Sequence, residues 1–63
     1  PQNQSNFEVG DRVKVKQSWG ISTKLYEVVG SSEGSYFVKE VIEASGELKG
    51  KQMPVSRYDL LKV

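Results

Sequence analysis

A chain of 63 residues with nine basic and eight acidic side chains, a formal net charge of +1 and neither cysteine nor histidine is tightly bounded before any pattern is read. It is long enough for one domain, near the lower limit at which a hydrophobic core holds a fold without staples, and leaves no second lobe to form a cleft. Disulfides, thiolate metal sites and the usual nucleophile and base pairs are excluded, a zinc site would need carboxylates alone, and the bulk charge does not announce a nucleic-acid binder.

Residues 1–6, PQNQSN, are polar and read as the tail of a disordered linker, so that 7–63 looks like a domain cut from a longer protein. No apolar run approaches the roughly 18 to 20 residues of a membrane span, and no charged-then-apolar leader is present. From Phe7 the chain reads FEVGDRVKVK. Val9-Gly10-Asp11 forms a tight turn feeding a first strand, RVKVKQ, whose alternation puts Val13 and Val15 on one face and Arg12, Lys14 and Lys16 on the other.

The segment Gln17 to Lys24 is a loop carrying the only tryptophan, Trp19. Further strands follow as KLYEVVG, SYFVKEVIE, ELKGKQMPV and LLKV. They are separated by a hairpin loop over Gly30 to Ser35 and a second hairpin at Ala44-Ser45-Gly46-Glu47. Pro54 must end a strand or lie on an edge, because it has no ladder N–H to donate. Ser56 is placed to cap a single helical turn at Arg57-Tyr58-Asp59 before Leu60 to Val63 closes the sheet.

No segment carries apolar residues at helical spacing over three turns. The expected core is Phe7, Val13, Val15, Leu25, Tyr26, Val28, Tyr36, Val38, Val41, Leu48, Val55, Leu60 and Leu61. Five strands of this length cannot bury both faces, so they must curl. The expected fold is therefore all-β: a small five-stranded SH3-like barrel with a short 3-10 turn before the last strand.

Arg12, Lys14 and Lys16 stand roughly 6.6 to 6.8 Å apart along one face, a spacing that resembles that of successive phosphates on one nucleic-acid strand. The alternative is a solvated face, or lysines guarding an edge. Lys49 and Lys51 flank Gly50, and Arg57 and Lys39 lie in neighbouring elements. If those strands adjoin the first, they complete a basic stripe offset from Glu27, Glu33, Glu40, Glu43 and Glu47. Trp19 either stacks on a base, a ribose or a methylated side chain, or folds back with Ile21 as a lid over the barrel mouth. Tyr26, Tyr36, Phe37 and Tyr58 are candidates for part of an aromatic cage. No phosphate-loop or dinucleotide motif occurs, the acids are scattered on turns and outward strand positions, and no catalytic residue, cofactor or metal is expected.

The order FEVGDRVKVK, KLYEVV, GSYFVKEV, GELKGKQMPVSRYDLLKV resembles the C-terminal domain of retroelement integrases and related DDE transposases over residues 7–63. The resemblance implies a non-catalytic, nuclear, DNA-binding module that follows a metal-dependent catalytic core and contacts the duplex backbone without strong sequence preference. Carried over to this chain, it implies Lys14 and Lys16, then Trp19 and Lys24, and then Lys49, Lys51 and Arg57 as backbone contacts, with Arg12 joining them from the ladder. The expected partners are double-stranded DNA and other domains or protomers of the parent integrase, with no membrane and no small-molecule ligand. A second reading is a Tudor-like or SH3-like protein-interaction module in which Trp19, Phe37 and neighbouring tyrosines line a groove for a chromatin peptide or partner subunit. A third is an accessory barrel whose basic face meets RNA.

Overall fold

The computed structural model describes residues 6–63, so the expected linker lies, apart from Asn6, outside the described residues. Each of the five expected strands is present: β1 (Arg12–Gln17), then β3 (Tyr26–Ser32), β4 (Ser35–Ile42), β5 (Glu47–Ser56) and β6 (Leu60–Lys62). One element was not expected, a two-residue strand β2 (Gly20–Ile21) inside the tryptophan loop. Its Gly20 and Ile21 pair with Gln17 and Lys16. The loop is thus a tight hairpin turning on Ser18 and Trp19.

All strand pairs are antiparallel, in the order β2-β1-β3-β4-β5, and β6 returns to pair with β1. This is the curled sheet of an SH3-like barrel. Two register shifts help it bend, since extra residues in one strand increase local twist. In β3 Val29 is the extra residue, between the pairs Val28 with Val38 and Gly30 with Phe37. In β5 Gly50, Lys51 and Gln52 stand opposite Lys39 alone, and Gly50 takes a φ of 79° that suits glycine.

The turns form where glycine was read, with one correction. The loop expected over Gly30 to Ser35 shrinks to the two residues Glu33 and Gly34, because Ser32 pairs with Ser35. Both turn residues have positive φ, 30° for Glu33 and 87° for Gly34, the conformation whose twist matches that of paired strands. Glutamate is poorly suited to it and asparagine well suited. Glu33→Asn is therefore expected to stabilise the domain by roughly 0.5 to 1 kcal/mol, part of the left-handed penalty, read as a rise in urea midpoint. An unchanged midpoint would show that the backbone at Glu33 carries no such strain.

Further turns match the reading. At Val9 and Gly10, Asp11 N–H donates to the Glu8 carbonyl at 2.9 Å while the Asp11 carboxylate accepts from Glu8 N–H at 2.9 Å. That backbone donor, with the Lys62 ammonium beside it, holds the Asp11 carboxyl below its ordinary pKa against the opposing effect of desolvation. The 3-10 turn spans Arg57–Asp59, with Ser56 Oγ accepting from Tyr58 N–H. Pro54 lies in β5, at the end of the strand order, where a missing donor costs no ladder bond.

The core is the cluster of Phe7, Val13, Val15, Val28, Val38 and Leu60, with Tyr26, Tyr36, Met53 and Val55 packed against it. The Phe7 and Tyr36 rings meet edge to face at 5.3 Å, and Tyr36 Oη accepts from Phe7 N–H at 3.1 Å. Leu48 departs from the expected core, being 38% exposed. Its partner across the ladder is Val41, three residues beyond Val38 and so on the opposite face of β4 by alternation. Val41 is buried apart from the main cluster, whereas Leu48 stays open to solvent on its edge strand. Met53, opposite Val38, packs against the core from β5. Leu25 and Leu61 are half-buried.

Candidate nucleic-acid interface

Alternation along β1 does what the sequence required: Val13 and Val15 are buried and the basic residues face outward. Their surroundings then separate them. Arg12 lies opposite Glu27 and its Nε donates to Glu27 Oε1 at 2.8 Å. Lys39 also faces Glu27 from β4. The charge at the start of the ladder is therefore shared within the sheet. Lys24 approaches Glu40 at 3.7 Å, and Lys62 approaches Asp11 at 3.4 Å while passing over the Phe7 ring at 5.9 Å. Glu27 and Glu40, expected to be offset from the basic residues, thus sit among them.

Lys14 and Lys16 have no ion-pair partner among the described residues. Lys14 Nζ donates to the Thr23 carbonyl at 3.2 Å, strapping the segment after β2 to β1. Ser22 makes a second strap: its buried Oγ accepts from Val15 N–H and donates to the Lys24 carbonyl, both at 3.1 Å, and its own N–H donates to the Val15 carbonyl at 2.8 Å. A buried hydroxyl with both capacities filled holds its surroundings in one arrangement. Nothing in the sequence marks Ser22 beyond its place after the Gly20-Ile21 step.

Those straps shape an open groove of about 350 Å³ lined by Gln17, Trp19, Ile21, Ser22, Thr23, Lys24 and Tyr26. Trp19 is 81% exposed at the hairpin tip and Ile21 55% exposed beside it, so the reading of the pair as a lid is overturned. The cause is the two-residue turn: it projects Ser18 and Trp19 beyond the sheet, while pairing with Lys16 puts Ile21 on the outward face of β1. From Lys14 to Lys24 the chain holds three lysines and no carboxylate, which gives this hairpin a positive field that the net charge conceals.

The remaining candidates lie elsewhere. Lys49 and Lys51 are on β5, which pairs with β4 and is separated from β1 by β3 and β4 in the strand order. The continuous stripe expected from β5 beside β1 is not formed. Lys51 occupies the shifted stretch at Gly50, where alternation with Lys49 is interrupted. Arg57 opens the 3-10 turn, its guanidinium 5.5 Å from the Tyr58 ring centroid and its Nε buried without a hydrogen-bond partner. The four-aromatic cage does not assemble. Tyr36 packs inward, Phe37 points to the other side of β4 against Gly30, and Tyr58 is exposed on the 3-10 turn.

Among the described residues no group of acidic side chains is placed to hold a metal ion, and no helix is long and apolar enough to cross a membrane. The barrel contributes one concentrated feature, the carboxylate-free β1–β2 hairpin with its outward tryptophan. No family model, curated protein or solved structure matches the chain, so its description rests on its own fold and chemistry.

Proposed function

We propose that this barrel is a non-catalytic module that binds the DNA backbone, with Lys14, Lys16 and Lys24 meeting phosphates and Trp19 seated beside them. The observation that carries the reading is the hairpin from Lys14 to Lys24, which has lysines, an exposed indole and no acid. Uncompensated cations on a rigid outward face attract a polyanion wherever the net charge lies. Lys24 joins them at little cost, since its pair with Glu40 is long and its side chain mostly exposed. The resemblance of the opening VGDRV and the closing SRYDLLKV to integrase C-terminal domains supports the same role, that of placing a DDE-type catalytic core on its substrate. Phosphate contacts then give affinity and register with little base readout.

The test is a titration of the labelled domain with a short duplex at low and physiological salt, followed at each backbone amide. Shifts are expected over residues 14–24, with a smaller group near Lys49 and Lys51. Two or three phosphate contacts give a slope of log K against log salt of about −2 to −3. No shifts at low salt would remove the reading. Binding that ignores salt would assign the groove of Trp19, Ile21 and Tyr26 to a protein partner instead.

A further inference from the structure

We infer that the groove beside Trp19 takes an unpaired base, so that the module prefers a single DNA strand to an intact duplex. The inference rests on the backbone-binding reading and adds the form of DNA bound. Trp19 is held at the tip of a two-residue turn, followed by Gly20 at a φ of 136°, and exposes most of its surface. A flat apolar ring turned to solvent offers a stacking face. Inside a duplex every base already stacks on its neighbours, so that face finds a partner only on a base that has left the helix.

The surroundings of the indole match such a guest. Ile21 and Tyr26 add apolar and aromatic wall, Gln17 and Thr23 add polar groups, and Lys24 lines the same groove. Lys16 pairs with Ile21 across the β1–β2 ladder, and Lys14 reaches the Thr23 carbonyl. Cations thus stand on the strand beside an aromatic platform, the combination that binds single strands through phosphates and base faces together. The groove is strapped through Ser22 and Lys14, so it need not be ordered when the strand arrives.

Trp19 is the only tryptophan, which makes its emission a direct reporter of the groove. The experiment compares an oligothymidine with a blunt duplex of equal length, at low and physiological salt, by tryptophan quenching and by a separate affinity measurement. Oligothymidine is expected to quench the emission and to bind at least about tenfold tighter than the duplex, which lies within the range of the stacking effect of one base. Trp19→Ala is expected to abolish that preference, bringing the oligothymidine affinity down to that of the duplex, and Trp19→Phe to retain most of it. Because the indole is exposed, both variants should melt like the parent. Equal affinity for the two DNAs, or a preference unchanged in Trp19→Ala, overturns the inference and leaves backbone binding standing. Failure to bind either DNA overturns both.

Discussion

Replacing Leu60 with alanine is expected to unfold a large share of the molecules at room temperature. Leu60 is 1% exposed and among the largest fully buried side chains, and it enters the core from β6 opposite Val15. Truncating a buried leucine costs about 2 to 5 kcal/mol, the spread reflecting how far the site can collapse. A domain below about 70 residues draws only about 3 to 5 kcal/mol from its core. The two ranges overlap, so the variant sits near its own midpoint without denaturant. Far-UV circular dichroism against urea is the suitable readout, because Trp19 is solvated in the fold and its emission changes little on unfolding. Leu60→Met, which keeps the volume, is expected to cost under about 1.5 kcal/mol. An alanine variant with the parent's midpoint would mean that β6 does not close the barrel.

The second large effect is on binding. Reversing Lys14 and Lys16 together to glutamate is expected to weaken duplex binding by at least about a hundredfold at low salt and to flatten the salt slope by about 2, because each reversal removes one lysine from a phosphate. Neither lysine is buried, and the Lys16 side chain has no hydrogen bond or ion pair among the described residues, so its reversal tests charge alone. Lys14 also holds the Thr23 carbonyl. Lys16→Glu by itself should therefore lower affinity without disturbing the amide signals of Ser22 to Lys24, whereas the double variant should shift them. Arg12→Gln is the useful contrast: its guanidinium is already engaged by Glu27, and its removal should change affinity by less than about threefold, the range of a surface pair. Undiminished duplex binding by the double glutamate variant would sink the phosphate assignment.

The architecture was legible because its signals are local. Glycines mark the turns at Gly10, Gly34 and Gly46, all at positive φ, and alternation in RVKVKQ sorts Val13 and Val15 from the lysines. The β1–β2 hairpin was hidden because Ser18-Trp19 carries no asparagine-glycine signature and its glycine comes after the turn. Whether Trp19 closed the barrel or left it could not be read from composition, since it depends on where two residues of pairing point the tip. Relations between distant strands were hidden for a similar reason. That Arg12 meets Glu27 and Lys24 meets Glu40 follows from cross-strand register, and that β5 stands away from β1 follows from topology. Leu48 was read as core although it lies five residues from Met53 and seven from Val55, odd spacings that put it on the other face of β5 from the two that pack against the core.

The pairing of β6 with β1 has a consequence for the order of events during synthesis. Val13 meets Lys62, Lys14 meets Leu61 and Val15 meets Leu60, so the first strand made waits for the last before its hydrogen bonds are complete. Hairpins within Tyr26 to Ser56 can form as they leave the ribosome, but the barrel cannot close until residue 62 has emerged. Until then Val13 and Val15 lack the strand that covers them, and the nascent chain exposes an unpaired, half-apolar edge. The lysines that alternate with those valines keep that edge charged throughout the interval, a service to solubility that ends once the fold is closed.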